Sequence, residues 1–143
     1  MRLNLTRQAD HAVRAMVYLA GEPVGERRKA AEIAAAAGIP GPFAQRVLAR
    51  LQREGLLLAR AGQEGGYTLA RPPAEISLLE LIEAIEGPLA ARHCLLRDRA
   101  CGTDGHCLLH GAWSTAQGAL RSVLAATSLA DALGPDRELD LTA

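Results

Sequence analysis

Three cysteines and two histidines, His106 and His110, lie within the stretch CLLRDRACGTDGHCLLH, residues 94–110. The spacing is Cys94-x6-Cys101-x5-Cys107-x2-His110, which places Cys107 and His110 on one face if this part is helical. Thiolates suit soft metals and iron–sulfur clusters, whereas structural zinc sites usually contain short Cys-x2–4-Cys pairs, which this stretch lacks. The residues therefore favour an iron–sulfur cluster, with zinc or metal-free redox thiols as alternatives.

The rest of the sequence indicates where these thiols act. Three is an odd number of cysteines, which argues against a disulfide framework. The N-terminal MRLNLTRQAD carries charges where a signal peptide needs apolar residues, and no apolar run is long enough to span a bilayer. We therefore expect a soluble cytoplasmic protein with no membrane partner, in which reduced cysteines serve metal or redox chemistry. No nucleophile–base set or phosphate-binding loop is visible, so we expect no catalytic residues and no enzyme.

Charge is unevenly distributed although the formal net charge is zero. Residues 1–71 contain 11 Arg or Lys and 6 Asp or Glu, a balance of +5, whereas residues 72–143 contain 5 and 10, a balance of −5. A basic half is typical of a segment that faces nucleic acid. Mutual attraction of two oppositely charged halves is the alternative explanation.

Apolar spacing predicts three helices in the basic half. The first covers residues 6–20, with Thr6 as its cap. Two shorter helices, ending at Gly38 and Gly55, are joined by a tight GIPGP turn, which is the order of a helix-turn-helix. The last of these helices has an apolar stripe formed by Ala44, Val47, Leu48 and Leu51.

A β-hairpin is predicted directly after the helix-turn-helix. Residues 56–60 and 67–70 resemble strands, and a glycine-rich turn at 61–66 joins them. This is the order of a winged helix, whose second short helix enters the major groove of double-stranded DNA and whose wing can enter the minor groove. An ordinary solvated arginine face is the alternative. The predicted DNA contacts are Phe43, Gln45, Arg46 and Arg50 on the helix and Arg60 near the hairpin tip.

The acidic half is predicted to contain two further helices. SLLELIEAIEG begins with a capping box of Ser77 and Glu80. Residues 107–126 are predicted to form a long helix with an apolar stripe from Leu109 to Leu124. Because little chain remains to cover that stripe, we expect it to pack against a second copy in a homodimer, with packing inside one chain as the alternative.

Four stretches together resemble the Rrf2 family of bacterial winged-helix transcription regulators: MRLNLTRQADHAVRAMVYLA, GQEGGYTLARP, EISLLELIEAIEGP and CLLHGAW. The resemblance implies a mainly α fold with a small β-hairpin wing. It divides the chain into a DNA-binding domain at residues 1–73, a cluster-binding loop with dimerisation helices at 74–133 and a flexible tail at 134–143. It further implies a homodimer that crosses through the long C-terminal helix, and an iron–sulfur cluster on the three cysteines that controls affinity for operator DNA.

The resemblance leaves two candidates for the fourth cluster ligand. Members similar to IscR have a histidine shortly after the last cysteine, which corresponds to His110. Members similar to the nitric-oxide sensor NsrR use an acid in the N-terminal helix of the other subunit, which corresponds to Asp10. An ion pair with Arg14, one helical turn later, is the alternative role for that acid. The sequence thus predicts a regulator that senses iron–sulfur status, nitric oxide or redox state, with a metal-free or zinc-binding thiol regulator as the alternative.

Overall fold

A computed structural model describes residues 5–89 and 108–134. These residues are mainly helical with one antiparallel hairpin, which confirms the predicted fold class. The three cysteines, and everything predicted for residues 90–107, lie outside the described residues. The elements are α1 Arg7–Gly21, α2 Ala30–Ala36, α3 Gly41–Arg53, β1 Leu57–Arg60, β2 Gly66–Leu69, a 3₁₀ turn Pro73–Glu75, α4 Leu78–Glu86, α5 His110–Ala126 and α6 Leu129–Ala132.

Helix α1 is the centre of the fold. The Thr6 hydroxyl caps it by accepting a hydrogen bond from the Ala9 amide at 3.2 Å, as its position predicts. Ala9, Ala12 and Ala15 are buried and, being small, allow neighbouring helices to approach closely. Four helices pack against α1, namely α2, α3, α4 and α6. A displacement of α1 would therefore change the packing of each of them.

Helices α2 and α3 form the predicted helix-turn-helix. Gly38 has a φ of 63°, the left-handed conformation that ends a helix, and the Ile39 amide donates to the Ala34 carbonyl at 2.8 Å. Ile39 is itself buried, so the turn is part of the core. The apolar stripe of α3 is buried as predicted, at Ala44, Val47, Leu48 and Leu51.

The wing is anchored at two places. In the hairpin, β1 leads directly from α3, and Arg60 at its end lies opposite Gly66. The loop between α1 and α2 adds a third extended segment beside β2. Its residue Arg28 exchanges two backbone hydrogen bonds with Tyr67, at 3.0 and 2.8 Å. The wing is therefore held by the loop between α1 and α2 as well as by α3.

After α5 the chain returns to the start of α4. The Leu129 amide donates to the Ile76 carbonyl at 2.8 Å, and the Leu78 amide donates to the Thr127 carbonyl at 2.9 Å. Leu129 and Ile76 are fully buried in the same core as the helix-turn-helix. The core therefore contains residues from both sides of residue 73. That the DNA-binding domain ends at residue 73 remains a prediction.

The start of α4 differs in one detail from its predicted capping box. Ser77 accepts a hydrogen bond from the Glu80 amide at 3.1 Å, as expected. The Glu80 carboxylate instead pairs with the guanidinium of Arg71, which also donates to the Glu75 carbonyl at 2.9 Å. The acid therefore holds the segment after the wing against α4, because a cation outside the helix lies within its reach.

Helix α5 leaves an apolar row uncovered. It has 17 residues, none of them buried, and it starts at His110 rather than at residue 107 as predicted. One side contacts α4, where residues such as Gln117 and Leu124 are half-buried. Another side is exposed and carries apolar side chains at spacings of three and four residues: Leu109, Ala112, Ala116, Leu120 and Val123.

Candidate DNA-binding surface and cofactor ligands

The N-terminal half of α3 presents three of the predicted DNA contacts. Phe43, Gln45 and Arg46 are all exposed, while the intervening Ala44 and the following Val47 are buried. The exposed residues follow from the periodicity of the helix, since one face packs on α1 and α2 and leaves the other to solvent. This face combines an aromatic ring, an amide and a guanidinium, which suits contact with base edges and phosphates.

Arg50 lies on α3 but its side chain is directed at the protein. Its Nε donates to the Ala84 carbonyl of α4 at 3.0 Å, and the guanidinium lies 3.4 Å from the Glu54 carboxylate. The side chain therefore joins α3 and α4, and the DNA contact expected from its position off the apolar stripe stays a prediction. Sequence periodicity shows which side chains leave the core, but not that a carbonyl of another helix lies within reach.

Gly66 and Lys29 support the tip of the wing, and no pattern in the sequence indicates the contact made by Lys29. A Cβ added to Gly66, whose φ is 133°, would lie 2.5 Å from the Arg28 carbonyl oxygen. The Lys29 ammonium donates to the Gly62 carbonyl at 2.7 Å and so ties the tip to the start of α2. Arg60 is exposed at the end of β1, next to this tip. The predicted minor-groove residue thus stands on a supported turn.

The loop between α1 and α2, which carries the third segment of the wing, is held by ion pairs. Arg28 Nε donates to the Glu22 carboxylate at 2.7 Å, and the guanidinium also pairs with Glu26 at 3.1 Å. The hydrogen bond from Arg28 to Glu22 raises the pKa of the guanidinium, so Arg28 stays charged. Burial, followed by the charge of Glu22, raises the pKa of the nearby Tyr18 above its ordinary value.

Asp10 and His11 are adjacent in the first half of α1, and the Asp10 carboxylate lies 3.9 Å from His11 Nδ1. The Asp10 carboxylate lies 3.1 Å from Arg14 Nε, so the i,i+4 ion pair weighed as its alternative role is present. The Asp10 side chain is 46% exposed and can still be reached from outside. The ring of His11 lies 6.0 Å from that of Phe43, centroid to centroid, at an interplanar angle of 49°. His11 was not among the residues chosen from the sequence, because nothing in its spacing indicates a contact with α3.

His110 is the first residue of α5 and is exposed. The sequence places it three residues after Cys107 and therefore beside the cysteine-bearing segment. Within residues 5–89 and 108–134, no three His, Cys, Asp or Glu side chains are close enough together to hold a metal ion. Three soft thiolate donors, with an imidazole three positions after the last of them in the sequence, fit the chemistry of an iron–sulfur cluster.

A junction at the end of α4 joins the elements on either side of the cysteine-bearing segment. Glu83 accepts a hydrogen bond from the Leu89 amide at 2.9 Å and pairs with the Arg121 guanidinium on α5. Arg121 also donates to the Leu89 carbonyl at 3.2 Å. The neighbour of Glu83 is Ala84, the residue that receives Arg50 from α3. One turn of α4 therefore contacts α3, α5 and Leu89, the last described residue before the cysteines.

A family model described as "Rrf2: Iron-dependent Transcriptional regulator" matches residues 5–135. A helix-turn-helix-type transcriptional regulator of Mycobacterium tuberculosis is 38% identical over 136 residues, which cover 92% of this chain and 82% of the relative. The HTH-type transcriptional regulator IscR of Photorhabdus laumondii is 28% identical over 139 residues, which cover 97% of this chain and 84% of that protein.

Two solved structures share the fold. CymR, the global cysteine regulator of B. subtilis, superposes with a TM-score of 0.77 at 21% identity, covering 92% of this chain and 96% of CymR. IscR of T. potens gives a TM-score of 0.73 at 24% identity, covering 92% of this chain and 86% of that chain. In the part of the chain that the structure describes, no helix is both long and apolar enough to cross a membrane.

Proposed function

Because the chain belongs to the Rrf2 family of DNA-binding transcriptional regulators, we propose that it is a homodimer whose affinity for operator DNA is set by an iron–sulfur cluster on Cys94, Cys101 and Cys107. The family match and the relatives establish a regulator of transcription rather than an enzyme. The observation that carries the cluster proposal is the concentration of all three thiols between α4 and α5. These two helices are joined by the Glu83–Arg121 ion pair.

For the DNA contacts, we assign Phe43, Gln45 and Arg46 to the major groove and Arg60 to the minor groove. The exposure of all four residues supports this assignment. A bidentate contact of an arginine or glutamine with a base contributes about 1–3 kcal/mol of discrimination, while contacts with phosphates determine how strongly affinity depends on salt. We assign Arg50 instead to holding α3 against α4, since its guanidinium is already hydrogen-bonded there.

For the assembly, we assign the exposed apolar row of α5 to the homodimer interface. Leu120 is 44% exposed in the single chain, and the alanines one and two turns before it would allow a second helix to approach closely. Association of two copies through this row removes the apolar side chains from water. A two-fold dimer requires a pseudo-palindromic operator whose half-sites are separated by one helical turn of DNA or a multiple of it.

For the fourth ligand, we assign His110 in preference to Asp10. His110 is exposed at the start of α5 and follows Cys107 by three residues in the sequence, whereas Asp10 lies far from the cysteines along the chain. An iron–sulfur cluster bound by these residues would supply iron that reacts with oxidants and nitric oxide. A nitrogen ligand is more easily displaced than a thiolate, so His110 would leave that position reactive. We expect the protein to reside in the cytoplasm, where its thiols stay reduced.

The contacts of this chain suggest how a change at the cysteines reaches DNA. Leu89 lies five residues before Cys94, and both its backbone amide and its carbonyl are hydrogen-bonded to the junction formed by Glu83 and Arg121. Movement of the cysteine-bearing segment would therefore pull on α4 and α5 together. Arg50 connects the same turn of α4 with the recognition helix. The two DNA-binding domains of the dimer would be reoriented as a result.

The direct test is anaerobic purification followed by iron and sulfide analysis, Mössbauer spectroscopy and DNA-binding measurements. We expect iron and sulfide in the protein and different operator affinities for the cluster-loaded and cluster-free forms. Protein that carries neither element and still binds its operator would contradict the cluster, and would favour the metal-free thiol regulator. Zinc without sulfide would contradict it as well.

The ligand assignment has its own matched control. His110→Ala should lose cluster on exposure to buffer several times faster than the unaltered protein, because a weak ligand is replaced by solvent. His106→Ala removes the same side chain type from a position closer to the cysteines in sequence and should have no such effect. If Asp10→Ala loses the cluster while His110→Ala retains it, the assignment to His110 is wrong.

The relay through α4 is tested by Glu83→Gln. This change removes the charge that holds Arg121 but keeps an amide oxygen for the Leu89 amide, so cluster content should be unchanged. We expect the difference in operator affinity between the cluster-loaded and cluster-free forms to shrink. If that difference is the same as in the unaltered protein, the junction does not transmit the change.

A further inference from the structure

The first turn of the recognition helix α3 is unusually poor in polar groups. Its residues Gly41, Pro42 and Phe43 have no side-chain hydrogen-bond donor or acceptor, and Pro42 also lacks an amide hydrogen. The amides of Phe43 and Ala44 both donate to the Pro40 carbonyl at 3.0 Å. Apart from the Gly41 amide, this turn therefore has no main-chain donor available for a base or a phosphate.

What this turn does offer is an exposed aromatic ring. Phe43 is 52% exposed, whereas the buried face of the same helix consists of aliphatic side chains only. The covered side of Phe43 faces the ring of His11 on α1, at the centroid distance of 6.0 Å. The His11 side chain is only 16% exposed, and within the described residues its Nδ1 is buried without a hydrogen-bond partner. His11 consequently acts as a packing surface that limits where the phenylalanine ring can lie.

An apolar ring at the leading end of a major-groove helix has one apolar partner on the base edges. Adenine, guanine and cytosine present donors and acceptors there, whereas thymine presents its 5-methyl group. We propose that Phe43 determines specificity by packing on a thymine methyl group in each operator half-site, with His11 as the residue that positions its ring. This inference rests on the proposed contact between α3 and the major groove. Gln45 and Arg46, next along the exposed face, would then hydrogen-bond to the neighbouring bases.

The test uses a duplex selected from a randomised pool for binding to the full-length protein. Each thymine of the selected site is replaced in turn by deoxyuridine, which removes the methyl group and nothing else. At one position per half-site we expect about fourfold weaker binding, the equivalent of about 0.8 kcal/mol for one buried carbon. At that position, 5-methylcytosine should be bound more tightly than cytosine by a similar factor, because its methyl group occupies the same place in the groove.

A double-mutant cycle then connects the methyl group with Phe43. Phe43→Ala should bind the thymine and deoxyuridine duplexes equally at the critical position while keeping its sensitivity elsewhere. Phe43→Leu retains an apolar side chain and should keep part of the preference, which serves if the alanine variant folds poorly. Leu58→Ala removes a similarly exposed apolar side chain (51%) from the wing and should leave the deoxyuridine profile unchanged.

His11→Ala distinguishes positioning from general stability. It should reduce the preference for the methyl group while the slope of affinity against salt concentration, which counts phosphate contacts, stays the same. A wild-type protein that is indifferent to every deoxyuridine replacement would overturn the proposal, even though its binding to the selected duplex would still support DNA binding. A Phe43→Ala variant with the wild-type deoxyuridine profile would also overturn it, because the ring would then contact sugar or phosphate.

Discussion

Gly66→Ala should detach the wing from the body of the protein. The added Cβ would lie 2.5 Å from the Arg28 carbonyl oxygen, and this neighbour is backbone, so it has no freedom to rotate away. The φ of 133° at Gly66 is a second obstacle, since side chains disfavour it by about 1–3 kcal/mol. Relief of the clash would break the two hydrogen bonds between Arg28 and Tyr67, each of which contributes about 0.5–1.5 kcal/mol.

The free energy of unfolding should therefore fall by about 2–6 kcal/mol, measured by urea denaturation. Operator affinity should fall as well, because Arg60 stands on the displaced hairpin. Gly62→Ala is the matched control: its φ of 100° is also strained, but the added Cβ would meet nothing within 4 Å. It should cost only the roughly 1–3 kcal/mol of the backbone conformation and leave the Arg28–Tyr67 bonds intact. If the two variants are equally stable, the close approach of Arg28 does not determine why position 66 is glycine.

Three further predictions concern other parts of the molecule. If the exposed row of α5 forms the proposed homodimer interface, Leu120→Glu should give monomers in analytical ultracentrifugation, because it places a charge in that row. Leu58→Glu, at a similarly exposed position on the wing, should leave a dimer, and dimers in both variants would refute the α5 interface. Arg50→Met should weaken operator binding while leaving the discrimination between base pairs unchanged, whereas Arg46→Met should lose about 1–3 kcal/mol of discrimination at one base pair, because Arg46 is assigned to a base edge; loss of discrimination in both variants, or in neither, would contradict these roles. Hydrogen bonds from Ser128 lower the pKa of Asp131 below 3.8, so the contribution of this carboxylate to stability is present above that pH and is lost as pH falls through the lowered pKa. The melting temperature of Asp131→Asn should therefore differ from that of the unaltered protein at pH 6 and converge with it toward pH 2. A difference that stays constant with pH would contradict this linkage.

The sequence by itself determined most of the secondary structure and the order of its elements. Apolar spacing located α1, α3 and α4, and for α3 also its buried face, because a helix that packs on one side must repeat its apolar residues at three and four positions. Glycines at residues 38 and 55 correctly ended the two short helices, since both adopt left-handed backbone conformations. The cysteine spacing, likewise, was visible only in the sequence.

Only the tertiary structure decided which polar side chains remain available for partners. Arg46 and Arg50 lie off the same apolar stripe and look equivalent in sequence, yet Arg50 donates to Ala84 while Arg46 is exposed. The ring of His11 contacts that of Phe43, which is 32 positions away along the chain, and no local sequence pattern predicts a contact at that separation. Local spacing reports which direction a side chain takes from its own helix, but the group it meets there is supplied by a distant part of the chain through the packing of the helices.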